Sequence, residues 1–253
     1  MAEANNLFDL SGKVALVTGG SRGLGKEMIR AFASAGANVV IASRKIDSCE
    51  VLAKEVTNEF GVKALPLACH VGDWDGLGTA VERVYDEFGA IDVLVNNAGM
   101  SPLYDSVSDV SEALYDKVLE VNLKGPFRLM TLVGPRMESG NGGSIINVGS
   151  TAAIRPRPQV IPYSAAKLGL NAMTEGFAHA FGPTVRVNCI MCGPFLTDIS
   201  KAWDMEAFRE RAKGMALERG GEPDEVVGAA LYFATRASSF CTGAILRLDG
   251  GMP

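Results

Sequence analysis

Seven short apolar runs alternate along the chain with stretches of helical spacing, and this alternation constrains the fold more tightly than any other feature of the sequence. The runs are Lys13–Thr18, Asn38–Ser43, Val62–Ala68, Ile91–Asn96, Ser144–Gly149, Thr184–Ile190 and Ala244–Leu248. Between them lie periodic segments at about Gly23–Ala35, Asp47–Phe60, Asp73–Phe88, Ser111–Glu138, Tyr163–Phe181 and Pro223–Ala234. Repetition of strand, helix and strand predicts an α/β fold built on a seven-stranded parallel sheet. Gly36 and Gly61 follow two of the helical segments, where a left-handed C-cap favours glycine, and Pro223 suits the first turn of the last helix.

A chain of 253 residues, 47% of them hydrophobic, buries about three quarters of its unfolded surface and needs no disulfide or metal staple. No Pro-, Gly- or Ser-rich linker and no internal repeat divides it, so residues 1–253 read as one doubly wound domain. The exception is Phe195–Gly221, an expected amphipathic, mostly helical excursion of the kind that covers a substrate. A net charge of −5 without any basic block argues against nucleic acid as a partner. Apolar stretches such as Val14–Val17 fall far short of the roughly 18 residues that span a bilayer, so no membrane partner is expected either. Met1–Leu10 lacks the basic start and apolar core of a secretory signal, and the five cysteines form no framework; a cytoplasmic location is expected.

Thr18-Gly19-Gly20-Ser21-Arg22-Gly23-Leu24-Gly25 stands after the first strand and opens the first helix. Glycines there let the backbone turn and approach a pyrophosphate, which the free N–H groups of the helix N-terminus hold. Gly19, Ser21, Arg22, Gly23, Leu24 and Gly25 are therefore candidate cofactor residues in a Rossmann-type domain, the alternative being a plain glycine-rich turn. The second strand ends Ala42-Ser43-Arg44-Lys45, where an NAD site would place a carboxylate for the ribose 2′-OH. With Ser43 and Arg44 there instead, and Arg22 nearby in the loop, NADP(H) is favoured over NAD(H); solvated surface arginines are the alternative.

Three further motifs follow: Asn96-Asn97-Ala98-Gly99 after the fourth strand, Ser150 after the fifth, and Tyr163-Ser164-Ala165-Ala166-Lys167 opening a helix. Tyr163 and Lys167, spaced i, i+4, share one helix face, and an ammonium beside a phenol favours the phenolate, bringing its pKa toward working pH. Ser150, at the carboxyl end of a strand, lies where open α/β sheets bind ligands.

With the glycine loop, these motifs make the chain similar to the classical short-chain dehydrogenase/reductase family from about Lys13 to Asp249-Gly250-Gly251. The resemblance implies an oxidoreductase that passes a hydride between nicotinamide and a ketone or secondary alcohol, with Tyr163 as general acid/base. It also implies that Lys167 bonds the nicotinamide ribose, that Ser150 orients the substrate oxygen, and that Asn122 holds a relay water. Asn97, Ala98 and Gly99 would lie on the adenosine side, and Gly193 and Thr197 at the carboxamide. Cys192 stands where members usually carry Pro, and His70-Val71 where many carry an Asp-Val that contacts adenine. A homo-oligomer is expected by the same resemblance, a tetramer or dimer packed through the helices near Ser111–Glu138 and Tyr163–Phe181.

Cys189-Ile190-Met191-Cys192 has the spacing of a redox pair but ends a strand, and two histidines with no second Cys pair make a metal site a poor fit, so none is expected. A cofactor-binding sensor without turnover is the competing class; it has no need of Ser150, Tyr163 and Lys167 together. An extended-family epimerase or dehydratase would carry a larger C-terminal substrate domain. The candidate substrate walls, Met100–Tyr104, Ile154–Pro158 and Phe195–Met215, are mostly apolar, with Arg155 and Arg157 as the charges near the site. An apolar ketone is the first expectation, and a carboxylate- or phosphate-bearing one follows if either arginine faces inward. A 3-oxoacyl thioester on an acidic carrier is an alternative that the scarcity of Lys and Arg around Glu138–Gly143 and Glu175–Thr184 disfavours.

Overall fold

Each of the seven apolar runs forms a strand in a computed structural model, which describes residues 7–198, 200 and 203–253. Met1–Asn6, and Ile199, Lys201 and Ala202 of the expected excursion, lie outside the described residues. The strands are β1 (Val14–Thr18), β2 (Asn38–Ser43), β3 (Ala64–Ala68), β4 (Val93–Asn96), β5 (Gly143–Ser150), β6 (Val185–Cys192) and β7 (Ile245–Leu248). They pair in the order β3-β2-β1-β4-β5-β6-β7, and every pairing is parallel. Pro66, which has no N–H to donate, is tolerated in β3 because that strand lies at an edge of the sheet.

Among the described residues eight α-helices accompany the sheet: α1 (Gly23–Ser34), α2 (Ile46–Phe60), α3 (Trp74–Phe88), α4 (Glu112–Leu119), α5 (Gly125–Ser139), α6 (Ile161–Ala180), α7 (Met205–Ala212) and α8 (Val227–Ala234). Side chains alternate along each strand, so two cores form. Phe32 of α1, Leu52 of α2 and Phe233 of α8 pack with Val17, Ile41, Val95 and Ile146 on one face. Val84 of α3, Met130 of α5 and Ala178 of α6 pack with Leu16, Val40, Leu94 and Ile145 on the other. Helices on both faces explain why β1, β2 and β4 read as continuous apolar runs rather than alternating ones.

The structure departs from the sequence reading in three places. The long helix expected over Ser111–Glu138 is broken by a π-helical turn, Glu120–Lys124, between α4 and α5. A widened turn leaves a residue out of the ordinary i to i−4 ladder, and Asn122 occupies it with its side chain fully buried rather than solvated. In the excursion at 195–221, only the eight-residue α7 is an α-helix among the described residues, because Gly214, Gly220 and Gly221 and the turns around them do not propagate one. The last helical segment starts as a 3₁₀ turn, Pro223–Val226, before α8. Gly36 and Gly61 do take the left-handed conformation, with φ of +91° and +71°.

Candidate active site

The strand order reverses beside β1, whose neighbours are β2 and β4, and ligands in such sheets bind at the carboxyl ends flanking that reversal. The glycine loop and the Asn96–Gly99 segment leave β1 and β4 there side by side. Thr18 joins them: its Oγ1 accepts the N–H groups of Asn97 and Ala98 at 3.0 and 3.1 Å and donates to Val95 O at 3.1 Å. Asn97 Nδ2 donates back to Thr18 O at 2.8 Å and Gly19 O at 3.2 Å. A Cβ on Gly25 would stand 2.3 Å from Gly19 O, so only glycine lets the loop fold onto the helix start. Asp73, Ser111 and Asp204 cap α3, α4 and α7; no side chain caps α2, α5, α6 or α8, and none caps the glycine-lined start of α1. Its first-turn N–H groups thus fit a phosphate of a dinucleotide cofactor.

At the adenosine end, Ser21 Oγ bonds Ser43 Oγ at 3.1 Å and so brings the loop beside the end of β2. Arg22 faces Asp198 at 3.9 Å across exposed surface, while the guanidinium of Arg44 makes no hydrogen bond or ion pair among the described residues. Leu24 packs partly buried against the core at the start of α1. His70 is an exposed strand-end residue whose Nδ1 accepts the Gly72 N–H at 3.1 Å. The Val71 side chain belongs to the core. Thr197 sits against the loop, with its Cβ and Cγ2 each 3.5 Å from where a Gly23 Cβ would be. A Cβ on Gly193 would lie 2.6 Å from Asp249 Cα, so the turn after Cys192 is fixed by packing with the C-terminal strand end.

Ser150 ends β5, and Tyr163 and Lys167 project from the first turns of α6. Lys167 is buried, donates from Nζ to Val148 O at 2.8 Å, and holds its Nζ 5.7 Å from the centre of the Tyr163 ring. Asn122 completes the group from the π turn. Its Nδ2 donates to Met100 O and Val118 O, both at 2.9 Å, and its Oδ1 accepts the Met100 N–H at 3.2 Å. Gly99 lies between Asn122 and Lys167: a Cβ there would be 3.0 Å from Asn122 Oδ1 and 3.7 Å from Lys167 Nζ.

The electrostatics correct one expectation. Burial pushes the Tyr163 phenol up to about 12, opposed by a hydrogen bond with Ser150. Burial pushes the Lys167 ammonium down to about 8. The lysine does not draw the phenol toward neutrality in this state, because its ammonium is turned to Val148 O and desolvation dominates both groups. Cys189 and Cys192, three residues apart on β6, face opposite sides of the sheet. Cys189 Sγ meets Asn171 of α6 at 3.6 Å, and Cys192 joins the core under α1 and α8. Both thiols are free and pushed up by burial, to about 11 and about 12, as expected of apolar filling rather than a redox pair.

On the substrate side, Tyr104 Oη accepts the Ile161 N–H at 2.8 Å and ties the Met100–Tyr104 wall to the start of α6. Phe208, Ala212 and Met215 form a separate small core with Leu196, Trp203, Met205 and Met252. Thr151 Oγ1 also donates to Met252 Sδ at 3.5 Å, so Met252 lies between the small core around α7 and the residue after Ser150. Arg155 is held by Pro253 O at 2.9 Å and Ile154 O at 3.1 Å. Sequence reasoning passes over Met252, whose place no local pattern marks, and gives no role to Thr18 beyond its position in the loop motif.

A parallel sheet with an uncapped, glycine-lined helix start at its reversal point and a Ser–Tyr–Lys group two strands away defines a dinucleotide-binding oxidoreductase domain. Residues 13–207 match the family model for short chain dehydrogenases, and the chain belongs to that family, whose members act on alcohols and ketones with a nicotinamide cofactor. It is 34% identical over 247 residues to human "Dehydrogenase/reductase SDR family member 4", covering 96% of this chain and 88% of that one. Among solved structures it resembles a gluconate 5-dehydrogenase from Burkholderia cenocepacia in complex with NADP and tartrate, with a TM-score of 0.94, 32% identity, and 99% and 98% of the two chains covered. A 7α-hydroxysteroid dehydrogenase complexed with NADH and 7-oxo glycochenodeoxycholic acid matches with a TM-score of 0.94 and 30% identity, covering 100% of this chain and 98% of the other. No helix among the described residues is long and apolar enough to cross a membrane.

Proposed function

We propose that the protein is an NADP(H)-dependent oxidoreductase that interconverts a ketone and a secondary alcohol, with Tyr163 as general acid/base. The observation that carries this reading is the convergence of Ser150, Tyr163 and Lys167 from two separate elements, with Asn122 and Gly99 alongside. When bound, the nicotinamide supplies or takes the hydride. The chain's own residues handle the oxygen of the substrate. Reduction needs a proton at that oxygen, and burial keeps the Tyr163 phenol protonated at neutral pH, ready to give it. Ser150 donates a second hydrogen bond to the same oxygen and fixes its position. In the reverse direction Tyr163 first gives up its own proton, a loss favoured once Lys167 carries its charge toward the phenol, and the phenolate oxygen then takes the alcohol proton while the hydride leaves to the nicotinamide. Lys167, anchored on Val148 O, retains donors for a ribose hydroxyl, and Asn122, buried in the π turn, is the residue that holds the relay water.

The preference for NADP(H) rests on the end of β2. The Ser21–Ser43 bond sets the loop beside Arg44, whose guanidinium is free among the described residues, and no carboxylate stands there to accept from a 2′-OH. A homo-oligomer fits the exposed Tyr115, Phe127 and Leu168 on α4, α5 and α6. Five free cysteines fit a cytoplasmic location.

The test is NADPH oxidation with a panel of aliphatic, cyclic, aromatic and steroid ketones, run beside NADH and with Tyr163→Phe. Turnover with NADPH above NADH, falling by about 10²–10⁴ in Tyr163→Phe while NADPH binding persists, supports the reading. Equal turnover in the variant overturns it.

A further inference from the structure

Side-chain hydrogen bonds seat α6, the helix that carries Tyr163 and Lys167, on the sheet at three levels. Lys167 Nζ donates to Val148 O of β5 at 2.8 Å. One turn on, Cys189 Sγ of β6 meets Asn171 Oδ1 at 3.6 Å, a weak thiol contact. Further along, Thr174 Oγ1 accepts from Asn147 Nδ2 of β5 at 2.9 Å. Asn147 is held at its other amide atom too, for its Oδ1 accepts Asn96 Nδ2 of β4 at 2.9 Å, and Thr174 donates onward to Leu170 O of its own helix at 2.8 Å. The donors run one way, from β4 through β5 into α6, and Asn96, Asn147 and Thr174 are each at most 2% exposed.

Stability does not account for this chain. Asn96 Oδ1 is buried without a hydrogen-bond partner among the described residues, and the other contact of Asn147 Nδ2 is Met130 Sδ at 3.7 Å. A buried polar network left partly unsatisfied stabilises a core less than apolar side chains of the same volume. What the chain supplies is a fixed relation between three elements that each deliver part of the site: β4 runs into Asn97–Gly99, β5 ends at Ser150, and α6 carries Tyr163 and Lys167. The start of α6 is tied to Tyr104 of the substrate wall rather than to β5. At about 1.5 Å per residue, Thr174 stands about 10 Å beyond Lys167 along the helix and Tyr163 about 6 Å before it. With the Thr174 bond gone, Lys167 becomes a pivot, and a tilt of about 1 Å at Thr174 carries Tyr163 about 0.6 Å the other way. A general acid works only within hydrogen-bond reach, so a shift of this kind costs rate rather than binding.

We propose that Asn147 and Thr174 are positioning residues for the reaction: their hydrogen bond fixes the tilt of α6 on β5, and with it the reach of the Tyr163 hydroxyl to Ser150 and to the substrate oxygen. The inference rests on the oxidoreductase reading above and deepens it. Both residues are fully buried in the sheet–helix core and act through Tyr163, with the Lys167 bond to Val148 O as the pivot. The Ser150 hydrogen bond opposes the upward push of burial on the Tyr163 phenol, so lengthening that bond raises the phenol further.

The experiment measures reduction of 2-octanone, cyclohexanone, acetophenone and a 3-oxosteroid with NADPH, and oxidation of the matching alcohols. It compares the wild type with Thr174→Val, Thr174→Ser and Asn147→Leu, with rates counted per NADPH-binding site from a fluorescence titration. Thr174→Val is expected to lower kcat about tenfold while KM for ketone and the NADPH dissociation constant stay within about twofold. The pH at which alcohol oxidation reaches half its maximum should move upward in the same variant. Thr174→Ser, which keeps the hydroxyl, should hold kcat within about threefold of the wild type. A residue of structural value alone would lower the melting temperature and leave kcat per site and the pH profile where they were. That outcome in Thr174→Val overturns the proposal, as does a Thr174→Ser no better than Thr174→Val. Counting per binding site removes unfolded protein from the comparison, and if Asn147→Leu does not fold, the smaller change at Thr174 decides alone. Unchanged rates in Thr174→Val beside Tyr163-dependent turnover sink only the positioning role. Absence of Tyr163-dependent turnover on every ketone and alcohol, in protein that binds NADPH, overturns the oxidoreductase reading and the inference with it.

Discussion

The two ends of the cleft are held together by different kinds of contact. The cofactor end is backbone pinned in place: the Thr18 hydroxyl and the Asn97 amide tie the main chain of Thr18, Asn97 and Ala98 together at adjacent strand ends, and Gly25 leaves no room for even one carbon. The substrate end is mostly side-chain packing, gathered from Thr151, Phe208 and Met252, which lie far apart in the chain. A backbone site admits one geometry and little variation. A side-chain site keeps its architecture while its residues change, so the chemistry of the substrate is written there.

If that contrast is right, the two ends fail in different ways when broken. Gly25→Val is expected to have the largest effect, because a branched side chain must displace Gly19 itself. A fluorescence titration should show NADPH affinity lower by about 100-fold, with turnover lost in proportion. Affinity retained within about threefold would mean that the loop adapts and is not the rigid half. Phe208→Ala, at the other end, opens the small core around α7, the expected lid, without touching the two main cores. Its KM for ketone should rise about tenfold while NADPH affinity stays within about twofold, since local opening is separable from global unfolding. Equal loss of cofactor and substrate binding would show that the lid and the loop are one unit.

The same contrast accounts for what the sequence discloses. Strand number, parallel pairing and the glycine loop follow from short-range pattern, because a period of two or 3.6 residues and a glycine spacing are local properties. Tyr163 and Lys167 are legible for the same reason, as neighbours on one helix face. Asn122 is visible only as an amide in a helical stretch, and the π turn that buries it depends on Met100, 22 residues away. Spacing misleads about the direction of the Tyr163 shift, since it shows that two groups are close but not how dry their surroundings are.

Lys167 stands where the two ends meet, and its burial has a consequence of the smallest size but definite sign. Its ordinary value of 10.5 is lowered to about 8 in the folded chain. Below about pH 8 both folded and unfolded chains carry the proton, and the fold bears the whole cost of a buried ammonium. Between pH 8 and 10.5 the unfolded chain holds more protons than the folded one, so stability rises with pH across that window. Tyr163 acts oppositely and higher up: raised from 10 to about 12, it makes stability fall between those values, so the test stops at pH 9.5. The melting temperature of the wild type, measured against Lys167→Met from about pH 7.5 to 9.5, should climb relative to the variant by about 2–4 °C. The subtraction removes the titrating groups that do not interact with Lys167, leaving Lys167 and its neighbours Cys189 and Cys192. A flat or falling difference would show that Val148 O and the neighbouring thiols fully compensate the buried charge, and that the junction belongs electrostatically to the well-satisfied cofactor end rather than to the unfinished substrate end.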